Sequence, residues 1–82
     1  TMPDATVAQL RWRCRRGMKE LDLLLGSWLE RCWDAADATQ RQSFQWLLEQ
    51  PDPEIAAWLI GGQRPGDARH AALLDDIICR RD

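Results

Sequence analysis

The chain has one histidine, three cysteines and no C-x-x-C pair. A lone His70, without a recognisable nucleophile–base arrangement, offers no basis for covalent catalysis, and exposure to solvent is expected of it. Cys14, Cys32 and Cys79 are odd in number and scattered. That excludes zinc-site spacing and makes a disulfide framework improbable, so a reducing compartment is the simpler setting. No apolar run approaches the roughly 20 residues needed to span a bilayer, and no signal-peptide core appears, so direct membrane insertion is not expected. There is no G-x-G-x-x-G, and no period-2 strand to precede one, so no flavin or nicotinamide site of its own is expected. Charge of one sign is also lacking. A net charge of −2 and a pI near 5.3 leave no bulk attraction to nucleic acid or to an anionic surface.

What the chain does have is apolar residues at helical spacing. The apolar fraction, 45% of 82 residues, suits a globular chain, and five tryptophans offset the small size by the area each can bury. Thr6 with Gln9 reads as a capping box for a first helix whose inner face is Val7, Leu10 and Cys14. A second helix carries Leu21, Leu24, Leu25, Trp28, Leu29 and Cys32, the stripe of a core-facing element. Gly26 interrupts it at a cost of about 1 kcal/mol relative to alanine, which predicts close packing or a bend there. Asp37 with Gln40 opens a third helix with Phe44, Leu47 and Leu48 inside, and Pro51 stops it. Asp52-Pro53-Glu54 reads as a cap, a proline at the first helical position and a carboxylate near the positive end of a fourth helix. That helix presents Ile55, Trp58 and Leu59 and ends at Gly61-Gly62. After Pro65-Gly66-Asp67, a last helix buries Leu73, Leu74, Ile77 and Ile78. The fold class is therefore all-α, a compact bundle of four to five short helices in a single domain over residues 1–82. Trp28, Trp58, Leu25 and Leu48 should be deeply buried, while Trp12, Trp33 and Trp46 lie off the stripes or at their edges. Cys14 and Cys79 lie on apolar faces and are expected to serve as small core residues.

The most charge-dense corner is Arg15-Arg16-Gly17-Met18-Lys19-Glu20-Leu21-Asp22. Residues 11–20 hold four arginines and a lysine against one glutamate. Taken alone, the corner reads as a helix ended by a left-handed glycine, with arginines favoured by about 0.3–1 kcal/mol near the negative end of the dipole. A rival reading takes Arg11-Trp12-Arg13-Cys14-Arg15-Arg16 as a nucleic-acid surface, with phosphate-binding arginines and a stacking tryptophan. The acidic chain as a whole opposes it, and so does a helix that would aim those arginines in several directions. Asp75 and Asp76 read as a solvated face. Glu20 and Asp22 diverge on a helix and make no catalytic pair.

Trp12-x-Cys14-Arg15-Arg16-Gly17-Met18-x-Glu20-Leu21-Asp22, then Leu47-Leu48-Glu49, Asp52-Pro53-Glu54 and Trp58-Leu59 before Gly61-Gly62, resemble the SdhE family of succinate dehydrogenase assembly factors. The resemblance runs from about Leu10 to Ile78, with Pro51 and Gly26 as small departures. It implies a non-enzymatic factor that binds the flavoprotein subunit of succinate dehydrogenase, with that of fumarate reductase as a further candidate, and promotes covalent FAD attachment. In such attachment a histidine of the partner is joined to the flavin 8α carbon, so the factor needs no cofactor or metal of its own. The resemblance also implies that Arg16, Gly17 and Glu20 form the R-G-x-x-E partner surface, with Trp12, Arg15 and Asp22 beside it and Asp52 as a further surface candidate. A bacterial cytoplasmic setting and a monomer are implied as well. A helical adaptor for an unrelated partner is the alternative, ahead of a nucleic-acid module.

Overall fold

Five of the amphipathic segments become five helices in a computed structural model that describes residues 7–80: α1 Val7–Arg13, α2 Lys19–Cys32, α3 Ala38–Leu48, α4 Asp52–Leu59 and α5 Ala68–Cys79. No strand occurs among the described residues. The proposed cap at Thr6 lies outside them. The α3 start is the reciprocal arrangement the sequence predicts. The Gln40 backbone N–H donates to the Asp37 carboxylate (2.8 Å), and the Asp37 N–H donates to the Gln40 side-chain oxygen (3.1 Å). Asp67 caps α5 by accepting from the Arg69 N–H at 2.8 Å. At α4 the expectation needs correction. Pro51, extended at φ −64° and ψ 150°, takes the cap position, so Asp52 is already the first helical residue and makes no cap bond. Its carboxylate is thereby released for another partner.

The core lies where α2, α3 and α5 meet, with α1 laid on α2 and α4 closing against α2 and α5. Leu10, Leu21, Leu25, Leu47, Ile55 and Leu74 are fully buried, each such side chain contributing about 1.5–3 kcal/mol. Phe44 of α3 stacks on Trp28 of α2 (centroids 4.7 Å apart) and meets the edge of Trp33 at 6.1 Å. The Trp28 indole N–H reaches the Asp76 carboxylate of α5 at 2.8 Å, so the ring is buried without stranding its donor. Trp28, Trp58, Leu25 and Leu48 are all buried, Leu25 completely, but Trp58 at 8% exposure is among the least covered side chains of the core.

Several side chains depart from their sequence reading because neighbouring helices cover what one helix alone would expose. Trp33 is buried in the aromatic cluster. Trp46 is half-buried between Trp58 (5.2 Å) and the His70 ring, which lies flat on it at 3.7 Å, so His70 is not a freely solvated histidine. Cys79, at the end of α5 where no other helix covers it, is exposed. Gly26 lies within a continuous helix, and a Cβ there would meet nothing within 4 Å. Close packing is therefore not its role.

Candidate functional site at the corner between α1 and α2

The corner is built by a helix that stops early and a helix that starts without a cap. α1 ends at Arg13, where the Cys14 and Arg15 N–H groups fold back to the carbonyls of Leu10 (3.0 Å) and Trp12 (3.1 Å). Gly17 is left-handed, at φ +83°, but lies four residues beyond α1. It turns the chain into α2 rather than closing α1. A Cβ at this glycine would meet nothing within 4 Å, so the requirement for glycine comes from backbone conformation and not from space. Met18 occupies the α2 cap position and cannot supply a side-chain acceptor. Glu20 and Asp22 in the first turn complement the helix dipole.

Asp22 does more than that. Its carboxylate reaches back across the corner and accepts the Arg16 backbone N–H at 2.6 Å. The Arg16 guanidinium turns inward, one Nη donating to the Leu48 carbonyl at the end of α3 and the other standing 3.5 Å from the Asp52 carboxylate at the start of α4. Only 17% of this side chain is exposed, against 38% for Asp52. Its Nε–H is buried without a hydrogen-bond partner among the described residues. The expectation that Arg16 offers an exposed charge is thus corrected: the side chain bridges two distant parts of the fold. Burial pushes the neighbouring Cys14 thiol up to about 11, with Asp22 adding to the effect and Arg16 and Arg11 opposing it. This sulfur is held neutral and inward, the opposite of an activated nucleophile.

Outside this frame, Trp12 is 71% exposed, with the Arg15 guanidinium 5.7 Å from its ring centroid, a cation–π pair. Arg15, Gly17, Met18 and Glu20 are exposed on the same corner. Of the six residues picked from sequence, the fold therefore places Trp12, Arg15, Gly17 and Glu20 outward, and sets Arg16 and Asp22 behind them. The Leu48 carbonyl has no counterpart in the sequence reading, because a backbone acceptor carries no sequence signal. Asp52 is a surface candidate by resemblance, but its pairing with Arg16 depends on the packing of α4. The arginines do not form one basic stripe: Arg11 lies 3.8 Å from Glu30, Arg15 lies on Trp12 and Arg16 faces Asp52. Among the described residues, no cluster of three or more His, Cys, Asp or Glu could hold a metal, and no helix is long and apolar enough to cross a membrane.

Residues 8–80 match the family described as flavinator of succinate dehydrogenase. A Vibrio parahaemolyticus protein named FAD assembly factor SdhE is 39% identical over 71 residues, which cover 87% of this chain and 83% of the relative. Proteins of the same name from Xylella fastidiosa and Coxiella burnetii are 41% identical over 70 residues and 36% identical over 69. Those spans cover 85% and 84% of this chain, and 72% and 84% of the relatives. Since the match takes in all five helices and the corner between α1 and α2, the chain belongs to the flavinator of succinate dehydrogenase family.

Proposed function

We propose that this chain is an FAD assembly factor that promotes flavinylation of succinate dehydrogenase by docking its α1–α2 corner onto the flavoprotein subunit. The fumarate reductase flavoprotein is a second client of the same chemistry. The observation that carries the reading is the exposed, left-handed Gly17 beside exposed Glu20, Arg15 and Trp12, in a chain of the flavinator family. A glycine without Cβ lets the backbone approach a partner closely. Trp12 supplies apolar area of the kind that anchors interfaces. Glu20 and Arg15 supply charge-assisted hydrogen bonds. The bond-forming groups belong to the flavin and the larger subunit. This chain acts by binding the partner more tightly when histidine and flavin are aligned, which lowers the barrier through positioning. It does so as a monomer and without a flavin of its own.

Glu20→Ala separates docking from a structural role. Loss of an exposed charge changes stability by less than about 0.5 kcal/mol. Loss of a charge-assisted contact costs about 1.5–3 kcal/mol of binding, a roughly ten-fold to more than hundred-fold weaker complex. Thermal melting is measured alongside covalent flavin incorporation into the purified flavoprotein. Unchanged melting with reduced flavinylation supports the reading; full flavinylation by the variant refutes it. Titration of FAD into the chain alone, followed by tryptophan fluorescence, should give no saturable response at micromolar FAD.

A further inference from the structure

Met18 gives the start of α2 no side-chain cap, and a left-handed glycine precedes it. A segment of that kind would ordinarily sample many conformations, and ordering it would weaken any complex it makes. Two carboxylates prevent this. Asp22 holds the Arg16 backbone N–H, and Asp52 faces the Arg16 guanidinium, whose other Nη is anchored on the Leu48 carbonyl. The backbone and the side chain of one residue are thus fixed by two different parts of the fold, immediately before Gly17.

We propose that Asp52 is a positioning residue for docking: it acts through Arg16 to hold the Gly17–Glu20 segment in one presented geometry, without touching the partner itself. The inference rests on the docking role of the corner. It extends the functional unit from α1–α2 to the junction between α3 and α4, which the R-G-x-x-E motif does not include.

The test is titration of the purified succinate dehydrogenase flavoprotein subunit with the full chain and its variants, with thermal melting measured in parallel. Asp52→Asn should weaken binding about three- to ten-fold per folded molecule. Asp52→Glu, which keeps the charge within reach of Arg16, should restore most of it. In an Arg16→Met background, Asp52→Asn should have no further effect; Arg16→Gln, which is uncharged and leaves Asp52 no cation to act through, serves as the background if the methionine variant does not fold. Parental affinity for Asp52→Asn overturns the proposal. So does an equal loss in the Arg16 background, which would mean that the carboxylate contacts the partner directly. A loss that merely follows the unfolded fraction also overturns it. Glu20→Ala distinguishes the two levels. If it weakens binding while Asp52→Asn does not, only the positioning role fails; if neither weakens binding, the docking corner fails with it.

Discussion

The two corners that flank α2 are closed by arginines in different ways. At the α2–α3 corner, the Arg41 Nε–H donates to the Trp33 carbonyl at 3.0 Å, its Nη2 donates to the Asp34 carbonyl at 3.2 Å, and its guanidinium lies 4.8 Å from the Trp33 ring centroid. Together with the Asp37–Gln40 capping box, every one of these partners is within eight residues. At the α1–α2 corner, Arg16 reaches a carbonyl 32 residues away. The α2–α3 corner buries its one aromatic, Trp33, against Arg41 and exposes only Asp34, Ala35 and Asp37 around it. A corner closed from behind can keep a glycine, an exposed tryptophan and exposed charges facing outward while its backbone stays ordered. The second arrangement suits a docking surface, and the first suits a structural turn.

The largest expected effect tests whether both corners hang from one core. Phe44→Ala removes the ring that stacks on Trp28 and contacts Trp33. It should cost about 3–5 kcal/mol, enough to unfold much of so small a domain. In urea, far-ultraviolet dichroism and tryptophan fluorescence should lose their transitions together. Two separated transitions would show that the corners are supported independently.

Asp37→Ala should cost about 1 kcal/mol through loss of the α3 cap, with docking per folded molecule unchanged. A docking defect at equal folded fraction would break the distinction between a structural and a presenting corner. Gly26→Ala, where a Cβ meets nothing, should stabilise α2 by about 0.5–1 kcal/mol. It should leave both corners intact. A lower melting temperature would mean that the glycine is needed for a motion or contact the fold does not display.

The smallest effect is silent at neutral pH. Cys14 titrates at about 11 in the folded chain against an ordinary value of 9.0, so folding favours its neutral form. The stability linked to this is complete below about 9 and is lost as pH rises toward 11. Exposed Cys79 should therefore react with a thiol reagent first, and Cys14 only on unfolding or at strongly alkaline pH. Rapid labelling of Cys14 at pH 8 would show that the α1–α2 corner opens readily, against the ordering assigned to Arg16, Asp22 and Asp52.

How much was legible follows from the range of the interactions. The apolar stripes of α2 and α5, the Asp37–Gln40 box and the glycines after α4 lie within about one helical turn of their partners. Spacing alone therefore identifies them, and the stripes dictate an all-helical chain. The order of residues around Gly17 likewise carried the family resemblance that the comparisons establish. What spacing could not reveal was the fate of side chains that meet another helix. Trp33 and Trp46 look peripheral on their own helices and are covered only because α3, α4 and α5 fold over them. Cys79 looks apolar-facing and is left uncovered at the end of α5. Arg16 is the clearest case. Sequence by itself determined that a cation precedes the left-handed glycine. Only the tertiary structure decided that this cation faces inward, because its acceptors, the Leu48 carbonyl and the Asp52 carboxylate, come within reach only when α3 and α4 close behind the corner.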